Sequence, residues 1–340
     1  MKKSKLAAII VGISLILIGA VIFTGAMFMF DWDFKGLSTE SFETNKYDIT
    51  EEFKDISLKT IAADIEFVPS DSGKTTVECY ERTKVKHKVQ VLDGALVIEA
   101  EDTRKWYNHI GIGFKTPKIK VAIPEGEYGT LSLKSNTSDV KIPKNFKFFG
   151  ADIKGTTGDL SFEASVSGQL KARFTTGDVS VKNVTAQSIE LSTSTGDVTV
   201  VDVTCQGNVG IRVTTGRVSV SKLTCENLIS DGDTGNFILE NVTAQKDISV
   251  ERSTGEVKLT NTVATEKLSV ETDTGDVKLE SSDAGNIEIE TDTGSVKGTL
   301  LTDKIFFVET DTGSVNVPKT DKGGRCEITT DTGDVKISIK

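Results

Sequence analysis

The chain has 340 residues, of which 37% are hydrophobic; this is low for a close-packed globule of that size and points to a thin or elongated core. Thirty glycines against five prolines, with abundant Thr, Val, Ile, Ser and Asp, are the vocabulary of strands and turns. Net charge is −10, and −13 once Lys2, Lys3 and Lys5 are set aside, so no basic face is offered to phosphate and nucleic acid is excluded as a partner.

Residues 1–5 form a basic tail, and residues 6–30 then run for 25 positions without a charge, enough for a transmembrane helix in contact with membrane lipid. Aromatic and acidic residues follow at once (Phe28, Phe30, Asp31, Trp32, Asp33), as expected at a headgroup boundary. Lysines before the span and aspartates after it place the N-terminus in the cytoplasm and the rest outside a bacterial cell membrane. A signal peptide cut near Thr24 and Ala26 is the competing reading, although the apolar run exceeds the ~7–15 residues of a signal core.

Residues 31–150 carry a repeat pattern only weakly, at 63–67 and 138–142, and read as irregular N-terminal coils and a hairpin-rich cap. The stretch from Arg104 to Thr116 reads as a loop. Residues 151–340 are regular: a Thr-Gly dipeptide recurs with its glycine at Gly158, Gly177, Gly196, Gly216, Gly235, Gly255, Gly275, Gly294, Gly313 and Gly333, at intervals of 19 or 20.

Apolar residues fall two and four after each glycine, as in Val179 and Val181, and seven and five before it, as in Ile189 and Leu191. Both halves alternate with period two, so both are strands with one buried face. The alternation slips at the glycine, which marks a corner that keeps both strands facing one core. The fold class is therefore all-β: a right-handed parallel β-solenoid of about ten coils behind one transmembrane helix, a rod on the order of 45–50 Å long. A sandwich, meander or propeller would also suit short strands, but only stacked coils explain a ladder of threonines recurring one step before every corner. Lys336 and Lys340 flank the last apolar residues and are expected to protect a terminal edge.

Seven carboxylates recur on the outward side: Asp273, Asp292, Asp311 and Asp331 two before the glycine, and Glu271, Glu290 and Glu309 four before it. In-register stacking sets each near its copy, where like charges repel by roughly 1 kcal/mol even in water. They read either as a solvated acidic face offset by the column Lys258, Lys278, Lys297 and Lys336, or as ligands for Ca²⁺. Cys205 and Cys225 fill a column held elsewhere by alanine and are small core residues, with a bond between adjacent coils left open. Cys79 and Cys326 show no CxxC pair or zinc spacing, and neither His87 nor His109 falls in a recognisable Ser, Asp or Cys constellation. No catalytic, cofactor or metal residue is assigned.

The anchor, the Asp-Gly-Ala-Leu-Val-Ile element (93–98), the Lys-Ile-Lys-Val-Ala-Ile-Pro element (118–124) and the Thr-Gly-Asp-Val series together resemble the bacterial "putative adhesin" family of β-strand-repeat proteins of unknown function. The resemblance implies surface adhesion, and for some relatives an association with envelope stress, without assigning a residue. The expected role is structural, adhesive or interactive, with a surface, matrix or envelope protein as partner. The alternatives are an envelope-stress regulator and, least favoured, a glycan-active enzyme, whose site would have to lie in 31–150.

Overall fold

The computed structural model describes residues 3–29, 32, 41–104 and 115–340. His109 and most of the expected loop after Arg104 lie outside the described residues. One helix, Lys3–Met29, precedes the strands, and the stretch Ile9–Met29 within it is long and apolar enough to cross a membrane. The rest is a β-solenoid of about eleven turns.

The regular coils stack in parallel with a register of 19 or 20. Leu170, Ile189, Val209, Leu228, Ile248, Leu268 and Ile287 pair in sequence and form one buried column. The threonine ladder runs from Thr137 through Thr157, Thr176, Thr195 and Thr215 onward. Each coil has three walls. After Gly177 come the buried Val179 and Val181, then Asn183 at φ 57°, then buried Val184 and Ala186, and finally Ile189, Leu191 and Thr193 before Gly196.

Two corners are set by backbone chemistry. At the first, Gly196 has φ 140° and a Cβ there would lie 2.1 Å from the carbonyl oxygen of Gly177, so no side chain fits. At the second, six residues on, Asn183, Asp202, Lys222, Asn241, Asn261 and Ser281 adopt φ between 49° and 57°. This left-handed conformation is tolerated best by Asn and Asp.

Chain order and spatial order part at both ends. The coil Asp55–Thr60 and Asp64–Pro69 packs between Ala95–Asp102 with Lys118–Ile123 on one side and Gly126–Thr137 with Val140–Ile142 on the other. The two weak motifs at 63–67 and 138–142 are thus neighbours, with Ile65 opposite Val140. Beyond them the antiparallel strands Phe42–Ile49, Thr75–Arg82 and Val85–Leu92 close the N-terminal end.

At the other end the last coil is not the edge. Gly324–Thr332 lies between Val277–Thr293 and Lys304–Thr312, and Val335–Ile339 lies between Val296–Leu300 and Val315–Asn316. The expectation that Lys336 and Lys340 guard the edge is therefore corrected: the terminal coil is 304–316, and the chain doubles back to insert 324–339 beneath it. Coils with the same column chemistry stack on one another equally well, so their order along the chain does not dictate their order in space.

Candidate functional site

Among outward residues, one column runs the length of the rod. It is the position four before each corner glycine. Pairing carries it from Glu99 to Lys59, Lys134, Lys154, Arg173, Ser192, Arg212, Asp231, Glu251, Glu271, Glu290, Thr329 and Glu309. Glu99 stands at the N-terminal end; the six positions from Lys59 to Arg212 carry five cations and no anion, and the six from Asp231 to Glu309 carry five carboxylates and no cation. All are exposed or half-buried.

Several of the cations have nearby counter-ions: Lys59 with Glu99 at 2.8 Å, Lys154 with Asp152 at 2.7 Å, Arg173 with Glu190 at 3.8 Å, and Arg212 with Asp231 at 2.6 Å. Exposed pairs of this kind are worth at most about 1 kcal/mol and exchange readily. The acidic half has less relief. Burial, then the charges of Glu251, Glu290, Asp273 and Asp292, push the Glu271 carboxyl above its ordinary range.

All seven carboxylates flagged by the repeat are exposed on this wall. Glu271 stacks on Glu290 as expected, but Glu309 does not meet Glu290: Thr329 stands between them because the last coil is inserted there. The lysine column Lys258, Lys278, Lys297 and Lys336 stacks as expected but on a different wall. Lys278 pairs with Glu256 at 2.7 Å and Lys258 with Glu280 at 3.1 Å, so these lysines neutralise other carboxylates. The cationic half of the column was missed in the sequence. The signal was there, since Lys154, Arg173 and Arg212 stand four before Gly158, Gly177 and Gly216, the count that picked out the glutamates.

Aspartates one after the corner glycine have a structural task. Asp159, Asp178 and Asp197 each accept through Oδ1 from a backbone N–H at the same place in the following coil, at 2.8, 2.8 and 2.7 Å. Asn236 does the same for Glu256 N at 3.1 Å.

His87 does sit in a constellation, contrary to the sequence reading, because strands far apart in the chain converge on it. Its Nε2 is 2.8 Å from Thr60 Oγ1 and its Nδ1 is 2.6 Å from Glu81 Oε2. Asn45 donates to Glu81 Oε1 at 2.7 Å, and the His87 backbone N–H donates to Oε2 at 2.7 Å. A hydroxyl, imidazole and carboxylate in line can activate the hydroxyl where a substrate reaches it. Here Thr60, His87 and Glu81 are 4%, 3% and 0% exposed. Cys79, Glu81 and His87 also bring candidate metal ligand atoms within 4.8 Å of one another. Both ring nitrogens and both carboxylate oxygens already have partners, and burial pushes the Cys79 thiol up to about 12, which disfavours the thiolate a metal needs. The cluster pins the Val85–Leu92 hairpin to the first coil.

Cys205 and Cys225 are buried free thiols in the alanine column, opposite Ala186 and Ala244 respectively.

A family model described as Toastrack DUF4097 matches residues 53–229 and again 208–340. The chain belongs to that family. In this Toastrack protein Arg212, the last cation of the column, lies where the two matches overlap. No curated protein matches it. Solved structures with a similar fold include a "putative adhesin" from Bacteroides fragilis NCTC 9343 at 15% identity, covering 88% of this chain and 97% of that one with a TM-score of 0.40. A "putative adhesin" from Parabacteroides merdae ATCC 43184 matches at 12% identity, 88% and 98% coverage and a TM-score of 0.42. A "putative lipid binding protein" from Parabacteroides distasonis ATCC 8503 matches at 14% identity, 88% and 98% coverage and a TM-score of 0.39.

Proposed function

We propose that this Toastrack protein is a membrane-tethered interaction rod with an adhesive role, its helix in the cytoplasmic membrane and residues 31–340 outside the cell. The observation that carries the reading is the union of an apolar helix, exposed over most of Ile9–Met29, with a stack of coils whose walls repeat the same side chains. Such a wall offers many weak contacts in register, which is how an extended surface gains avidity without a deep pocket. The one hydroxyl–imidazole–carboxylate line described is closed to solvent, which favours binding over catalysis.

Cells producing the full chain are compared with cells producing a chain that lacks residues 6–30, in attachment and in envelope-stress reporter output. Attachment that needs the helix, with unchanged reporter output, supports the reading. Reporter output that changes while attachment does not would replace adhesion by regulation.

A further inference from the structure

The column of alternate charge is self-complementary. The twelve positions from Lys59 to Glu309 have their midpoint between Arg212 and Asp231, and Glu99 lies one step beyond Lys59, past the end of the match. A two-fold axis through that midpoint, perpendicular to the rod, sets Asp231 against Arg212 of a second copy, Glu251 against Ser192, Glu271 against Arg173, Glu290 against Lys154, Thr329 against Lys134 and Glu309 against Lys59. Four of the five charged residues on each side meet an opposite charge and the fifth meets a serine or a threonine; no like charges meet. The coil spacing is the same in both copies, so the match holds along the whole wall. Insertion of the last coil sets which residues meet at the ends: with 304–316 stacked directly on Val277–Thr293, Glu309 would face Lys134 and Lys59 would face Thr329, an equal number of opposite charges.

The polarity extends beyond the column. Residues 41–216 hold 22 Lys and Arg against 24 Asp and Glu, net −2, whereas residues 217–340 hold 14 against 23, net −9. Two rods side by side in the same direction would place the acidic halves together, which this distribution opposes. A wall roughly 55 Å long and about 15 Å wide offers some ~800 Å² per copy, the size of a standard specific interface.

We propose that the partner of this wall is a second copy of the chain in antiparallel register, an isologous pair that joins Lys154 and Arg173 of one rod to Glu290 and Glu271 of the other. Antiparallel rods carry their anchoring helices at opposite ends, so the pair bridges two apposed membranes. The inference rests on the adhesive reading and names its partner.

The test uses full-length protein in zwitterionic phosphatidylcholine vesicles with the rod outward, clustering being read by light scattering. One pool carries Glu271→Lys with Glu290→Lys, another Lys154→Glu with Arg173→Glu. Wild-type vesicles are expected to cluster, less so as salt rises, and each variant pool alone to cluster about tenfold less. Mixing the two pools restores clustering, because each reversed half meets its reversed counterpart. A third pool with Lys278→Glu and Lys297→Glu, mixed with the first, gives no restoration if register rather than net charge is responsible. Melting temperatures near wild type show that the variants fold.

Absence of wild-type clustering, no restoration on mixing, or restoration by the third pool each overturns the proposal. If that happens while cells producing the chain still attach to foreign surfaces, the adhesive reading stands and the partner is another molecule; if attachment is also lost, both fall.

Discussion

Lys304 Nζ lies 2.6 Å from a carboxylate oxygen of Asp283, and neither side chain is more than 8% exposed. The two residues belong to coils on either side of the inserted one, so the pair clamps the terminal coil across it. Removing one partner of a buried pair leaves a charge without compensation, at a cost of about 3–5 kcal/mol. Lys304→Met is expected to loosen 304–316 first, since a solenoid coil contacts only its neighbours. Hydrogen exchange in Lys304–Thr312 should accelerate well before exchange in the middle coils, and adding Asp283→Leu should recover most of the protection.

A corner glycine such as Gly196 differs from an unconfined one such as Gly126. Gly196→Ala combines a left-handed φ of 140° with a Cβ 2.1 Å from Gly177 O, so a loss of at least ~1–3 kcal/mol is expected. Gly126 has open space where its Cβ would be, and Gly126→Ala should leave the denaturation midpoint within ~0.5 kcal/mol of wild type. Urea titration of the two variants checks the contrast.

The aspartate after the corner acts as an acceptor, and its charge is secondary. Asp178→Ala leaves Asp197 N–H without its 2.8 Å partner and should cost about 1 kcal/mol. Asp178→Asn keeps an oxygen in place, as Asn236 does natively, and should be close to silent in the same titration.

Arg252 is a cation in the core, 1% exposed, over the Phe237 ring at 5.2 Å, with Nη2 donating to Ser230 Oγ at 2.8 Å and Nε without a partner. Burial lowers its pKa, partly opposed by Asp231 and Asp233. Desolvation of a charge that lacks a close carboxylate offsets what its contacts contribute, so Arg252→Met should be neutral or stabilising. Arg252→Ala opens a cavity and should lose about 2–4 kcal/mol by thermal unfolding.

The acidic half of the wall sets a pH dependence. The Glu271 carboxyl is raised above 4.5 in the folded chain, so folding binds its proton more tightly than the unfolded state does. Its ionisation therefore opposes folding: this contribution is absent below pH 4.5 and develops as pH rises through the raised value. Glu271→Gln should raise the melting temperature at pH 7 and leave it unchanged below pH 4.5, while added salt should shrink the difference at pH 7.

The middle of the rod was legible because its signal is local. Glycine spacing and period-two alternation fixed the parallel stack, the Thr157 to Thr332 ladder and the placing of Cys205 and Cys225. What escaped depends on contacts between distant segments. Nothing in the residues around Thr60, Glu81 and His87 marks them as neighbours, and the insertion of 324–339 under 304–316 conserves every repeat rule the sequence obeys. The second corner was hidden for another reason: Lys222 and Ser281 occupy it as well as Asn183 and Asp202, so no single residue type announces it.

The spatial order of the last coils determines the clamp and which residues meet at the ends of the wall, and cysteine crosslinking reads that order directly. With Glu290→Cys and Thr329→Cys the two Cα atoms lie one strand spacing apart, about 4.8 Å, within disulfide reach, whereas Glu290→Cys with Glu309→Cys are separated by about two spacings, beyond it. Rapid oxidation of the 290/329 pair with none for 290/309 is predicted for the folded full-length chain. Bridging of 290/309 with none for 290/329 would mean that the coils stack in chain order and would contradict the account.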